Sequence, residues 1–228
     1  MLFCHGSSDM PRIHSTAKFK AFTLIELLIL IAILLLLACV LIPSLAYQRR
    51  HARVRACFNN LKQIGVAYRT WTLDGGDSYP MAIDVKSGGA REEIAIGHVS
   101  FNFLVMSNEL STPKILVCPQ DDGKTAAVTF KARFNDTNVS YFVGADARDT
   151  FPQTFLSGDR NLAFENKPLP PGIFVWTSNR SALSWTKAIH NECGNVGLAD
   201  GSVQFLKSRQ LAVAAANQSY DTNRLAIP

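Results

Sequence analysis

Nine residues separate His190 from Asp200-Gly201, and this pairing is the first place to look for chemistry. A histidine near a carboxylate can do acid–base work or hold a metal. Asp-Gly between apolar runs is also a hairpin signal, because glycine accepts positive φ in a type I′ turn. Turn chemistry alone explains Asp200 and Gly201, so His190 is expected to steady the hairpin by hydrogen bonding across its turn. Asp121-Asp122-Gly123 has half the look of a calcium loop. It lacks the alternating acidic spacing and the terminal glutamate of one, and a surface turn is expected. Ser184, Ser202 and His190 show neither a nucleophile elbow nor triad spacing. Gly75-Gly76 and Gly88-Gly89 lack the Lys-Ser/Thr of a phosphate loop. Trp176 and Trp185 are expected in the core rather than on a sugar. Cys4, Cys39, Cys57, Cys118 and Cys193 form no CxxC and no Cys/His ligand spacing, so neither a metal nor a cofactor is expected. Nothing here reads as an enzyme.

The remaining candidate is Glu26, which stands at the edge of an apolar run. From Leu27 to Ala46 the chain reads LLILIAILLLLACVLIPSLA, without a charge. About 20 residues at 1.5 Å each span about 30 Å, the thickness of a bilayer core. A buried soluble helix rarely lacks any polar face over that length. Residues 22–46 are therefore expected to cross a membrane once, in contact with lipid. Ser44-Leu45-Ala46 has the small-x-small look of a signal-peptidase site, but this run exceeds the roughly 7–15 apolar residues of a secretory signal. Neither that reading nor a plain anchor accounts for Glu26, since a carboxylate in hydrocarbon calls for a cationic partner.

Charge is distributed unevenly around this run. Residues 1–21 carry three basic side chains against one acidic, and residues 22–74 carry six against two. The rest, 75–228, carries 14 against 15 and is nearly neutral. The basic balance thus belongs to the N-terminal part. The body has no broad positive footprint for nucleic acid. Arg49, Arg50, Arg53 and Arg55 suit the headgroup level of anionic lipid.

Lys20-Ala21-Phe22-Thr23-Leu24-Ile25-Glu26, followed by the apolar run, resembles the prepilin-type cleavage and methylation segment of type IV pilins and type II secretion pseudopilins. The resemblance implies cleavage by a prepilin peptidase between Ala21 and Phe22 and methylation of the new amine of Phe22. It implies that Glu26 meets the N-terminal amine of a neighbouring subunit during assembly. Pro43 falls where pilins commonly carry a helix-kinking proline. The family nearly always has glycine where this chain has Ala21. The resemblance requires the leader, residues 1–21, to stay inside. The positive-inside rule mildly favours the opposite orientation, with four arginines after the run against Arg12, Lys18 and Lys20 before it. The motif is given precedence. The C-terminal part is then expected in the periplasm or on the cell surface, with the anchor in the inner membrane. In an oxidising compartment any two of Cys57, Cys118 and Cys193 can pair, or stay as buried thiols.

Beyond Tyr47, Val54, Phe58, Leu61, Gly65, Tyr68 and Trp71 recur at three- and four-residue steps, which predicts an amphipathic helical stem over residues 47–74. Asp74-Gly75-Gly76-Asp77 stops it. A continuous helix of about 50 residues would be about 75 Å long. In residues 75–228, short β-rich runs are expected at Ile115-Leu116-Val117, Ser140-Tyr141-Phe142-Val143, Ile173-Phe174-Val175-Trp176 and from Asn195 to Leu206. A short terminal helix is expected from Ser208 to Ala216. The expected class is α+β and pilin-like: a long N-terminal helix packed on an antiparallel β-sheet.

The His190 to Gly201 element resembles the H-x9-DG element of a bacterial family that pairs it with a prepilin-type N-terminus. Four other stretches look similar to that family: Asn59-Asn60-Leu61-Lys62-Gln63-Ile64-Gly65, Val117-Cys118-Pro119-Gln120-Asp121, Ser140-Tyr141-Phe142-Val143-Gly144 and Ser157-Gly158-Asp159-Arg160-Asn161. Two functions are expected from the resemblance and the anchor. One is a structural subunit of a pilus or type II secretion system, partnered by prepilin peptidase and other pilin-like subunits. The other is a membrane-tethered binding module that never polymerises.

Overall fold

The computed structural model describes residues 22–75, 78–131, 133–178 and 182–228. The expected leader, with Ala21, lies outside the described residues, and so do Gly76 and Asp77. Two compact units divide at Tyr47/Gln48, and the first helix, α1 (Leu24–Gly75), contributes to both.

In the N-terminal unit, Leu24–Ile42 is a helical stretch of 19 residues with mean hydropathy 3.3 and nothing buried. It is long and apolar enough to cross a membrane. Pro43 lies within α1.

The second unit is α+β. Its stem half of α1 buries Cys57, Leu61, Ile64, Ala67 and Tyr68. Leu61 and Tyr68 belong to the expected stripe, whose Val54, Phe58 and Trp71 are half-buried at its margin. Residues 80–116 hold short helices: α2 (Arg91–Ala95), α3 (Val99–Val105) and α4 (Ser107–Leu110). The Tyr68 ring meets Phe103 of α3 and Tyr79 edge-on, at 6.4 and 5.4 Å between centroids. The Tyr68 hydroxyl accepts a 2.7 Å hydrogen bond from buried Asn102.

Among the described residues nine strands follow: β1 (Tyr141–Gly144), β2 (Phe155–Asp159), β3 (Leu162–Phe164), β4 (Lys167–Pro168), β5 (Gly172–Thr177), β6 (Leu183–Trp185), β7 (Cys193–Leu198), β8 (Val203–Lys207) and β9 (Thr222–Ile227). They form an antiparallel six-stranded sheet in the order β5-β9-β1-β2-β7-β8, and a small sheet β4-β3-β6. Both faces of the large sheet are covered. Tyr141, Val143, Leu156 and Ala226 pack with the stem half of α1. Their alternating neighbours Phe142, Phe155, Leu225 and Ile227 pack on the other face with the small sheet and with Leu211 and Ala215 of α5 (Ser208–Ala216). Period-two alternation divides successive side chains between the two cores. Trp176 and Trp185 are buried on this second face, as their core reading expected.

Three local expectations are corrected. Ile115-Leu116-Val117 is no strand: Pro113–Leu116 is a 3₁₀ turn, with Pro113 at its start and Thr112 accepting from the Lys114 N–H at 3.4 Å. The helix Ser208–Ala216 is present but not terminal, because β9 follows it and lies between β5 and β1. At the β7–β8 hairpin only Gly201 of the Asp-Gly pair has positive φ, 81°. Leu198 exchanges bonds with Gly201 and Ser202, which makes a three-residue loop with a glycine bulge rather than type I′. The type I′ signature belongs to Glu165-Asn166 between β3 and β4, at φ 51° and 63°.

Candidate functional site

A fully buried group of Cys57, Cys118, Asp159 and His190 forms between the stem and the large sheet, its ligand-type atoms all within 4.8 Å of one another. Each side chain arrives on a different segment. Cys57 comes from the buried stripe of α1. Asp159 ends β2. Cys118 opens a β-turn closed by the Asp121 N–H on the Cys118 carbonyl at 2.9 Å, with Pro119 presetting the turn. That turn directs both Cys118 and Gln120 at His190, which lies in the loop between β6 and β7.

Three consecutive residues at the end of β2 hold these segments. Asp159 accepts from the Cys57 thiol at 2.9 Å and from the Asn195 backbone and side-chain N–H groups at 2.6 and 2.9 Å. Arg160 makes a two-pronged pair with Asp121, both contacts 2.7 Å. Asn161 donates to the Thr186 and Cys193 carbonyls at 3.2 Å, clamping the two ends of the His190 loop. Gly158, just before them, must be glycine: a Cβ there would lie 2.6 Å from the Phe142 ring and 2.8 Å from the Asn195 carbonyl.

The His190 imidazole is completely enclosed. Its Nδ1–H donates to the Gln120 amide oxygen at 2.5 Å. Its Nε2 faces Asp159 Oδ2 at 3.3 Å and Cys118 Sγ at 3.4 Å. Because the Cys57 thiol donates to Asp159, the Tyr141 hydroxyl, 3.3 Å away, donates to the Cys57 sulfur. Asn60 reaches the Tyr141 hydroxyl at 3.5 Å and the Val117 carbonyl at 3.3 Å.

Burial works to lower the His190 pKa, but its bonds to Asp159 and Cys118 prevail and raise it to about 9. The neighbouring Cys57 thiol, with His190, outweighs burial and lowers the Cys118 thiol to about 7. Burial pushes the Cys57 thiol up. Without a metal the arrangement is an imidazolium between a carboxylate and a thiol that readily ionises. Such a pair is nucleophilic in principle. Its burial, with Cys57 fully covered and Cys118 1% exposed, denies a substrate the sulfur. The same atoms, three of them soft or borderline ligands, can also surround a metal ion.

The expectation that His190 steadies the hairpin turn is not met. Its bonds go to Gln120, Asp159 and Cys118. Asp200 caps its own turn through the Ser202 N–H at 2.7 Å. Arg69 of α1 bonds the Asp200 carbonyl, and the Tyr79 hydroxyl donates to the Ala199 carbonyl at 2.8 Å. α1 passes the tip at Gly65, where a Cβ would lie 3.7 Å from Gly201, an ordinary contact. The surface turn expected at Asp121-Asp122-Gly123 is present, with Asp122 and Gly123 exposed and the Lys124 N–H on the Asp121 carbonyl at 3.3 Å, while the Asp121 side chain itself is a buried ion-pair partner. The expectation of no metal-ligand set rested on spacing along the chain, whereas folding brings four residues of ligand type together from four segments. All five stretches quoted for the H-x9-DG resemblance supply a residue to this centre or its immediate supports. Two of those stretches contain Cys118 and Asp159. Cys57 lay outside every one of them.

At the other end of the chain, Glu26 has a local use. Thr23 donates its N–H and hydroxyl to Glu26 Oε2 at 2.9 and 2.8 Å, and its oxygen accepts from the Glu26 N–H at 3.3 Å. Thr-x-x-Glu with reciprocal bonds is a capping box, which satisfies the first free N–H groups of α1. Phe22 precedes it, exposed. In comparisons with protein-family models, with curated proteins and with solved structures, nothing matches this chain.

Proposed function

We propose that the chain is a prepilin-like, single-pass membrane subunit, structural rather than catalytic, that assembles sideways through the first half of α1. The observation that carries this reading is the unburied apolar stretch Leu24–Ile42, entered through Phe22-Thr23-Leu24-Ile25-Glu26 and continued by the same helix into the stem. An apolar surface of that length calls for lipid or for similar helices. On this reading prepilin peptidase releases Phe22 as the new N-terminus, the anchor sits in the inner membrane, and the body lies outside the cytoplasm. Partners are lipid and other pilin-like subunits.

One observation favours the tethered module that never polymerises. The Thr23–Glu26 capping box gives the carboxylate work within its own chain. N-terminal mass spectrometry of the protein isolated from membranes tests the main reading. A methylated Phe22 is the expected result. An intact Met1, or a start at Tyr47 left by signal peptidase, would overturn it.

A further inference from the structure

A carboxylate, an imidazole and two thiols gathered in a protein core need a reason, because each polar group is desolvated there. The four converge too closely to be read as separate core residues. Ligand atoms about 2.0–2.3 Å from a tetrahedral ion lie about 3.3–3.8 Å from one another. Cys118 Sγ to His190 Nε2 is 3.4 Å, and His190 Nε2 to Asp159 Oδ2 is 3.3 Å. The two contacts already have the edge lengths of such a tetrahedron.

We propose that Cys57, Cys118, Asp159 and His190 form a structural zinc site that ties the stem half of α1 to β2 and to two loops of the body. Thiolates with imidazole and one carboxylate suit zinc and not calcium or magnesium, which take oxygen. Four protein ligands close the coordination shell, as structural sites do, and leave no open position for a substrate.

The surroundings are those of a ligand shell. The His190 Nδ1–H is held by the Gln120 amide oxygen, which turns Nε2 into the centre. Asp159 is oriented by both N–H groups of Asn195. The Tyr141 hydroxyl stands ready to donate to the Cys57 sulfur. A cavity of about 300 Å³ lined by Val54, Gln120, Lys187, Ile189, His190 and Asn191 lies beside the histidine segment. On binding, the zinc ion displaces the two thiol protons and the Nε2 proton of the imidazolium, all three passing to solvent, and is held by two thiolates, a carboxylate and a neutral imidazole. The site is independent of the reading of the N-terminal helix, so either can fail without the other.

The test uses the full chain, purified in detergent without chelator and alkylated at lysis to report free thiols. Elemental analysis should find about one zinc per chain. Replacement by cobalt should give the visible bands of a tetrahedral ion and near-ultraviolet thiolate-to-cobalt absorption. Cys118→Ser should lose both at unchanged circular dichroism, and Gln120→Ala should weaken zinc binding about 10–100-fold. If Cys118→Ser does not fold, the wild-type cobalt spectrum decides alone. A folded wild-type chain that takes up neither zinc nor cobalt would overturn the proposal. So would a Cys57–Cys118 disulfide in the peptide map, or zinc retained by a folded Cys57→Ser/Cys118→Ser chain.

Discussion

Cys57 on α1 and Asp159 at the end of β2 are 102 residues apart in the chain and 2.9 Å apart in the fold, joined by a thiol–carboxylate hydrogen bond. Around that contact the stem helix, the Cys118 turn and the His190 loop are fastened to one strand. The centre therefore acts as the mechanical junction of the body, whatever occupies it.

Asp159→Ala should be among the most damaging single changes in the body. It strips the partner from His190 and leaves the Asn195 and Cys57 donors unmatched. Breaking a buried pair from one side costs about 3–5 kcal/mol. Urea denaturation of the detergent-solubilised protein, followed by tryptophan fluorescence, reads the loss. A change under about 1 kcal/mol would show that the junction is not needed for the fold.

The Asp121–Arg160 pair sets an acid limit. Burial alone would raise the Asp121 carboxyl, but the Arg160 hydrogen bonds overcome it and hold the pKa below the usual aspartate value. A depressed folded pKa means the contribution is complete above the unfolded value, about 3.9, and disappears as pH falls through the folded one. Thermal midpoints measured from pH 7 downward should drop below about pH 4. Asp121→Asn should be less stable at neutral pH and show a shallower acid decline. An identical decline in the variant would assign the acid sensitivity to other groups.

Two glycines should resist alanine for different reasons. Gly201→Ala puts a side chain at φ 81°, with the Arg69 guanidinium 3.0 Å from its Cβ, and should cost about 1–2 kcal/mol. Gly158→Ala drives a methyl into the Phe142 ring and an Asn195 carbonyl fixed in the sheet. Overpacking of this kind costs about 1–3 kcal/mol and, here, should also disturb Asp159. Thermal melts of the two variants should place Gly158→Ala lower, and the reverse order would contradict the packing of β1 against β2.

Glu26 separates the two functional readings. Glutamine serves a capping box as well as glutamate does, but it cannot neutralise an amine. If the side chain only caps α1, Glu26→Gln should behave as wild type and Glu26→Ala should fray the helix start. If it pairs with a neighbouring subunit, both variants should insert in membranes yet stay out of filaments. Cross-linking and sheared-filament fractions, compared with membrane fractions, distinguish the outcomes.

Much of the architecture was legible in linear order. The α1 stop at Gly75, the Asp-Gly hairpin tip and the helix Ser208–Ala216 follow from local rules of periodicity and turn chemistry. The 3₁₀ turn at Pro113–Leu116 departs from the expected strand because three apolar residues do not fix a period. β9 carries little sequence signal, because Thr222–Ile227 buries the polar Asn223 and sets Arg224 beside it before the apolar end, which blurs alternation.

The amino-acid sequence by itself determined what each segment would become wherever the cause lies within a few residues: an apolar run of bilayer length, an amphipathic stem and turns at glycine. Only the tertiary structure decided that Cys57, Cys118, Asp159 and His190 share one buried point. No spacing rule reaches across 102 residues, because the contact depends on how α1, β2 and two loops pack and not on the chain between them. His190 belonged to a recognisable element, yet its partners lie outside that element, and its chemistry became visible only when the layers were closed.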